Sequence, residues 1–323
     1  MKLNGFTGTG TLLRLFLHRD RFLLPLWILL PVALGMITAA TFTAMADQGI
    51  HSVLYEFDKD PLVSAILGPV MSFDLSGAIV WRGTSQLAIV LAIGSLLTVI
   101  RHTRTDEETG RSELIRAYQV GPYASMTAAL FLTIVANLIS GVMIALSVIA
   151  IGGDPAGSLV FGATLSAIGC FFAGIGALSV QLRESSGSAG GIGVAVIGLG
   201  IMIMIMNNLG GGDTVLKWVS PLAWQRITKP FAGNYGWGLW HFTIMSLIPA
   251  VISYLLSTRR DVGAGVLPSR PGPAEASPYF SSTLALAWRL HKKSFFGWVI
   301  CILLYIVVFS AFSPGLSQSE GIS

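Results

Sequence analysis

The sequence predicts an all-α polytopic membrane protein, and three observations carry that prediction. Of 323 residues, 53% are hydrophobic and 11% charged, where a soluble domain carries about a quarter charged residues. Mean hydropathy is +0.72. The apolar residues fall into separate blocks of about 20, the length a helix needs to cross about 30 Å of hydrocarbon. A soluble globular enzyme does not fit this composition.

In chain order, apolar runs bounded by charges, Gly or Pro place spans at Phe22 to Ala44, Ile79 to Ile100, Ala124 to Ile149, Leu159 to Leu182, Gly190 to Met206, Leu239 to Leu256 and Phe295 to Phe312. The fifth is short and glycine-rich. Nothing before the first reads as a cleaved signal, because the run after Arg21 is too long and holds no small-residue cleavage site. Cys170 and Cys301 sit inside apolar runs and read as core packing; two cysteines supply neither a disulfide framework nor a four-ligand zinc site.

Orientation follows from the basic residues. With the N-terminus in the cytoplasm, fifteen of the 20 Lys and Arg lie inside, and only Lys59, Arg82, Lys217, Arg226 and Lys229 lie outside. The net charge of +4 therefore reflects topology and not nucleic-acid binding. The first outer loop is acidic, with Asp47, Glu56, Asp58, Asp60 and Asp74 against Lys59. The expected location is the plasma membrane.

The segment LRLFLHRDRFLLPLWILL from Leu13 is similar to LAWRLHKKSFFGWVICILL from Leu286, pairing His18 with His291, Arg19 with Lys292 and Phe22 with Phe295. This reads as an internal repeat, although any amphipathic approach to a span shares part of the pattern. Residues 1–258 then form a six-span unit with an N-terminal amphipathic helix. Residues 259–283, rich in Pro and Gly, form a cytoplasmic linker, and 284–323 begin a second repeat with a seventh span.

The spans hold few ionisable groups. All sixteen acidic residues lie outside them or at their margins, and of five histidines only His241 falls within one. Proton- or sodium-coupled transport and intramembrane metal chemistry generally need such groups, which argues against self-powered transport or catalysis. Arg82, beside Trp81, lies near the outer interface and reads as a snorkelling anchor or a substrate contact. Gln86 and Asn137 are placed to hydrogen-bond between helices or to line a translocation path. Small residues recur at Gly169, Ala173 and Ala177 in the fourth span and at Gly187, Gly191 and Ala195 in the fifth, predicting close helix packing.

The loop Arg101 to Tyr123 carries the marks of a short helix. Thr105 and Glu108 form a capping box, Asp106 and Glu107 occupy the first turn, and Gly121 with Pro122 supply the stop. Glu107 and Arg111 are spaced for an i,i+4 pair, while Leu114, Ala117 and Tyr118 make a small apolar face that predicts docking. The pattern alone fits a solvated linker equally well.

At this point the chain resembles a known family. HTRTDEETGRSEL after a second span, SPLAW at Ser220 to Trp224 followed by KPFAGN, and the linker RRDVGAGVLPSRPGP are similar to the membrane subunit of type-2 ABC exporters, nearest the actinobacterial tetronasin-type polyketide-antibiotic exporters. The resemblance covers nearly the whole chain. Permeases of that family carry two six-span halves, so against their pattern this chain reads as C-terminally shortened. The resemblance implies that the loop between the second and third spans is a coupling helix seated on a cytoplasmic ATPase dimer. Its contact residues would be Glu107, Glu108, Gly110, Arg111, Glu113 and Leu114.

The stretch Thr11 to Arg21, with Leu12, Leu13, Phe16 and Leu17 on one side, is similar to the family's membrane-surface connecting helix. The resemblance also implies that the segment between the fifth and sixth spans dips back into the membrane and caps the exit. Its Trp218, Trp224, Trp237 and Trp240 individually suit interfacial anchoring.

The expected function is export of a hydrophobic or amphipathic compound of the antibiotic or polyketide kind, with a second permease half or a second copy as partner and lipids around the bundle. No GxxxxGK[ST] phosphate loop occurs, so no catalytic residue and no cofactor is assigned to this chain, and ATP with Mg belongs to the partner subunit. The rival readings are a non-transporting membrane scaffold or immunity protein, and an integral-membrane lipid enzyme built on the TDEET acids with His102.

Overall fold

The computed structural model describes residues 5–45, 49–111, 120–259, 264–267 and 282–310. An amphipathic helix, α1 (Thr9–Arg19), precedes α2 (Leu23–Met45). The short α3 (Ile50–Lys59) and α4 (Pro61–Leu67) lead into α5 (Leu75–His102), and α6 (Arg104–Glu108) follows it. Three long helices come next: α7 (Ala124–Ala150), α8 (Pro155–Leu182) and α9 (Ser186–Leu209). Short α10 (Leu216–Val219), a 3-10 turn (Pro221–Ala223) and α11 (Gln225–Thr228) connect to α12 (Gly238–Ser257), and α13 (Thr283–Ser310) is the last described helix.

The described residues contain no strand, and six helices, α2, α5, α7, α8, α9 and α12, are long and apolar enough to cross a membrane. The chain is an all-α polytopic membrane protein. Each of the first six expected spans falls on one of these helices. The seventh begins inside α13, and residues 311 and 312 of it lie outside the described residues.

Capping chemistry sets where several helices begin. Asp74 accepts from Gly77 N (2.6 Å) at α5, and Asp154 from Gly157 N (2.8 Å) ahead of Pro155 at α8. Ser185 Oγ accepts from Ser188 N (3.2 Å) at α9. The acidic first loop is spent in the same way, with Asp60 capping α4 and Asp58 accepting from Val70 N (2.7 Å). The first copy of the similar segment breaks: α1 ends at Arg19 and α2 starts at Leu23. The second runs on as the single helix α13.

Helix α8 is the centre of the bundle, lying against α5, α7 and α12. The α7–α8 crossing is close because Gly141 and Gly162 face one another; a Cβ on either would strike the backbone oxygen of the other. The predicted small-residue face of the fourth span packs as expected. Gly169 leaves room for the Asn137 amide, and Ala173 and Ala177 are buried with Val99, Met126 and Leu130. The fifth-span face is a correction. Gly187, Gly191 and Ala195 are exposed, and α9 packs instead through Ala189, Gly193 and Ile197, with Gly193 against Leu96. Both faces carry small residues at four-residue spacing, so the spacing alone did not select the buried one.

Candidate functional site

On the face that carries α1, charged side chains converge. Arg19 donates through Nη1 to both carboxylate oxygens of Asp106 (2.8 and 2.9 Å), and its Nη2 lies against His102 Nδ1 (2.5 Å). The other ring nitrogen of His102 meets Asp20 Oδ2 (2.7 Å), and Arg101 pairs with Asp20 Oδ1 (3.0 Å). His102 is fully buried, and Phe16 stacks on it with centroids 4.1 Å apart. Leu12 and Phe16 of α1 also pack on Ala124, Ala128, Ala129 and Leu132 of α7. Leu17 is a correction to the predicted apolar side, since it points outward together with Leu15.

Helix α6 is tied into this cluster from below and from both sides. Arg104, fully buried, donates to Glu107 (2.5 Å), to Glu184 O (2.9 Å) and to Ala264 O (3.1 Å). The described linker residues run beside α8, with Val266 N donating to Gln181 O and Leu267 N to Leu182 O, both 3.0 Å. After α6, Gly121 N donates to Thr7 O (2.9 Å) and Tyr123 N to Gly5 O (3.0 Å), so the N-terminal segment holds the loop's end.

Two sequence expectations are corrected here. The capping box does not form: Thr103 occupies the N-cap without a side-chain bond, and Glu108 instead accepts from Ser186 N (2.8 Å) and Ser186 Oγ (2.5 Å), capping α9. The Glu107–Arg111 pair does not form either. Glu107 pairs with Arg104, and Arg111 approaches Asp106 at 3.7 Å. For Glu108 a partner 78 residues away replaces the local one, whereas Glu107 turns back to a neighbour three residues before it. Glu108, Thr109 and Arg111 remain exposed, and Gly110 adopts φ +73° between them. Glu113, Leu114, Ala117 and Tyr118 lie outside the described residues.

The remaining sequence candidates separate. Asn137 is buried and joins α7 to α5 by donating to Ser95 Oγ (2.8 Å) while also bonding Thr133 O (2.9 Å), a packing role. Arg82 and Gln86 are half-buried on α5, one turn apart. Cys170 is a correction: it is half-buried and lines a groove of about 330 Å³ between α7, α8 and α12, with Ser166, Thr243 and Ser246. The side chain of Cys301 lies outside the described residues.

The opposite face is capped by the short elements. Trp224 is a further correction, because it is buried and stacks on Phe242 with centroids 4.3 Å apart, whereas Trp237 and Trp240 are exposed as anchoring requires. Arg226, also buried, donates to Pro69 O (2.6 Å) and Leu67 O (3.3 Å), clamping the α4–α5 connection to α11. Gly68 between those carbonyls has φ +83°, and a Cβ there would collide with the guanidinium. Trp81 Nε1 bonds Gly68 O (2.6 Å) and Asn208 Nδ2 bonds Ala65 O (3.1 Å), completing the clamp. Burial lowers the Arg226 pKa against the upward pull of Asp58 and Asp213; the guanidinium stays charged at neutral pH.

The sequence reading missed Arg19, Asp20, His102, Arg104 and Arg226 as organising residues. For all but Arg226 the signal was there to use: HRDR and RHTRTDE both abut span ends on one predicted face, so charges of opposite sign are brought together where the spans begin and end.

Six spanning helices, a charged hub on one face and a clamped cap on the other define a multi-pass membrane protein of the all-α class. No protein-family model matches the chain. It is 37% identical over 322 residues to a multidrug efflux system permease protein of Mycobacterium tuberculosis, a match that covers 98% of this chain and 58% of the relative. The chain thus spans a little over half the length of that relative.

Proposed function

We propose that the chain is a permease component of an ABC-type efflux system, with its α1 face in the cytoplasm, and that a separate ATPase subunit drives it through α6. The similarity to an efflux permease along 98% of the chain supports the transport reading. The distribution of Lys and Arg supports the orientation. One observation carries the coupling role. The inward side of α6 is bonded to α1 by Asp106–Arg19 and to the first turn of α9 by Glu108–Ser186, while Glu108 and Arg111 also reach the surface. A push on such an element reaches the amphipathic helix α1 and the spanning helix α9 without being absorbed by a flexible loop.

The substrate we assign is apolar or amphipathic, of the antibiotic or polyketide kind, and Arg82 and Gln86 are the path residues on α5. The other six-span half, in a longer chain or as a second copy, supplies the opposite wall, and ATP with Mg stays in the ATPase. Accumulation of a fluorescent apolar compound in cells tests this. Cells with the chain and its ATPase retain less compound than cells with a Walker-lysine variant of the ATPase. Equal retention would point to the scaffold reading.

A further inference from the structure

A groove of about 460 Å³ opens on the α1 face between the start of α2, the end of α5 and the first turn of α9. Its apolar wall includes Trp27 and Leu97, and its polar end is formed by Arg101 and Ser186. Gly187 and Gly190 form the α9 side, where a Cβ would meet no atom within 4 Å. The groove lies at helix ends, where a bilayer passes from hydrocarbon to headgroups.

Arg101 is the cation on this wall, and its charge is only partly matched. One nitrogen reaches Asp20 at 3.0 Å, yet Asp20 also serves His102 at 2.7 Å. The remaining N–H groups of Arg101 have no acceptor among the described residues, and its side chain is 39% exposed. The carboxylates nearby are already engaged, Asp106 by Arg19 and Glu108 by Ser186. An apolar slot ending in a guanidinium with free donors is complementary to one kind of membrane component: an acyl chain joined to a phosphate.

We infer that this groove holds a phospholipid, its phosphate on Arg101 and its upper acyl chain along Trp27 and Leu97 beside Gly190. The lipid fills a gap between α2 and α9 that no side chain of the described residues fills, and the site stands whether or not the chain transports anything. A phosphodiester accepts bidentate bonds from arginine, and the two glycines leave a smooth floor for a methylene chain.

The test uses the full chain in nanodiscs with a phosphatidylglycerol that carries a diazirine on its acyl chain, and maps the labelled peptides. Labelling is expected on the segments around Trp27, Leu97 and Gly190, saturable, and displaced by phosphatidylglycerol better than by diacylglycerol. Gly190→Leu, which places its side chain in open space, abolishes saturable labelling while the protein's melting temperature is kept. Arg101→Gln weakens phosphatidylglycerol displacement by about tenfold, the effect of one lost charge-assisted bond, with diacylglycerol displacement unchanged. Even, non-saturable labelling of all lipid-facing helices would overturn the inference. So would labelling unaltered by Gly190→Leu, displacement by inorganic phosphate alone, or cross-links from these segments to a second copy in place of lipid.

Discussion

Arg226 illustrates how single residues hold this molecule together. Its guanidinium is taken out of water to satisfy two carbonyls on either side of Gly68, and the left-handed glycine is there because a side chain would occupy the guanidinium's place. Replacing Arg226 by Leu strands both carbonyls, and we expect a loss of about 2 to 6 kcal/mol, from about 1 to 3 kcal/mol for each unsatisfied buried group. Thermal unfolding in detergent measures it. Gly68→Ala should destabilise comparably by displacing Arg226, whereas Gly110→Ala, also at positive φ but with open space around its Cβ, should cost only about 1 kcal/mol of backbone strain. The sequence reading that placed Arg226 outside the membrane did not reveal its burial. Nothing in the local run QRIT announces that the acceptors are more than 150 residues away in the chain.

At the scale of elements, α6 and the α7–α8 crossing carry the argument. Asp106 is enclosed and paired with Arg19, so Asp106→Ala leaves a guanidinium without its main partner. Breaking a buried pair costs about 3 to 5 kcal/mol; Arg19 keeps some access to solvent, which places the expected loss at the lower end. Glu108→Ala removes one of the two caps of α9, leaving Ser185, and should cost about 1 kcal/mol. Glu108 and Glu107 both have partners inside the chain, so their reversal disturbs the fold as well as any docking. Arg111→Glu is the cleaner probe, because Arg111 is exposed and its one ion pair among the described residues is long. Gly141→Val forces α7 from α8, with an expected cost of about 1 to 3 kcal/mol of overpacking.

The sequence made the boundaries of the first six spans legible to within about four residues, because charge, proline and capping acids mark them. It did not reveal the partners of α6. Thr105 and Glu108 satisfy the local capping rule, yet Glu108 bonds Ser186 and Asp106 bonds Arg19, contacts that no local rule contains. The faces of α9 were likewise hidden, since Gly187 and Gly193 look alike until their neighbours are known.

At the scale of the whole molecule, the proposed function separates energy from permeation. The acidic residues cluster at the ends of the helices, where they cap or pair, and the bundle interior is joined by hydroxyls and amides such as Asn137, Ser95 and Ser166. On the proposed function, work enters from the face that carries α1, and the α6 hub receives it. The most direct measurement places a cysteine at Arg111, with Cys170 and Cys301 replaced by serine, and applies a membrane-impermeant maleimide to intact cells and to inside-out vesicles. Labelling in the vesicles alone, lost when the ATPase subunit is added, is the predicted result. Labelling of intact cells, or full labelling in the vesicles with the ATPase bound, would contradict the assignment.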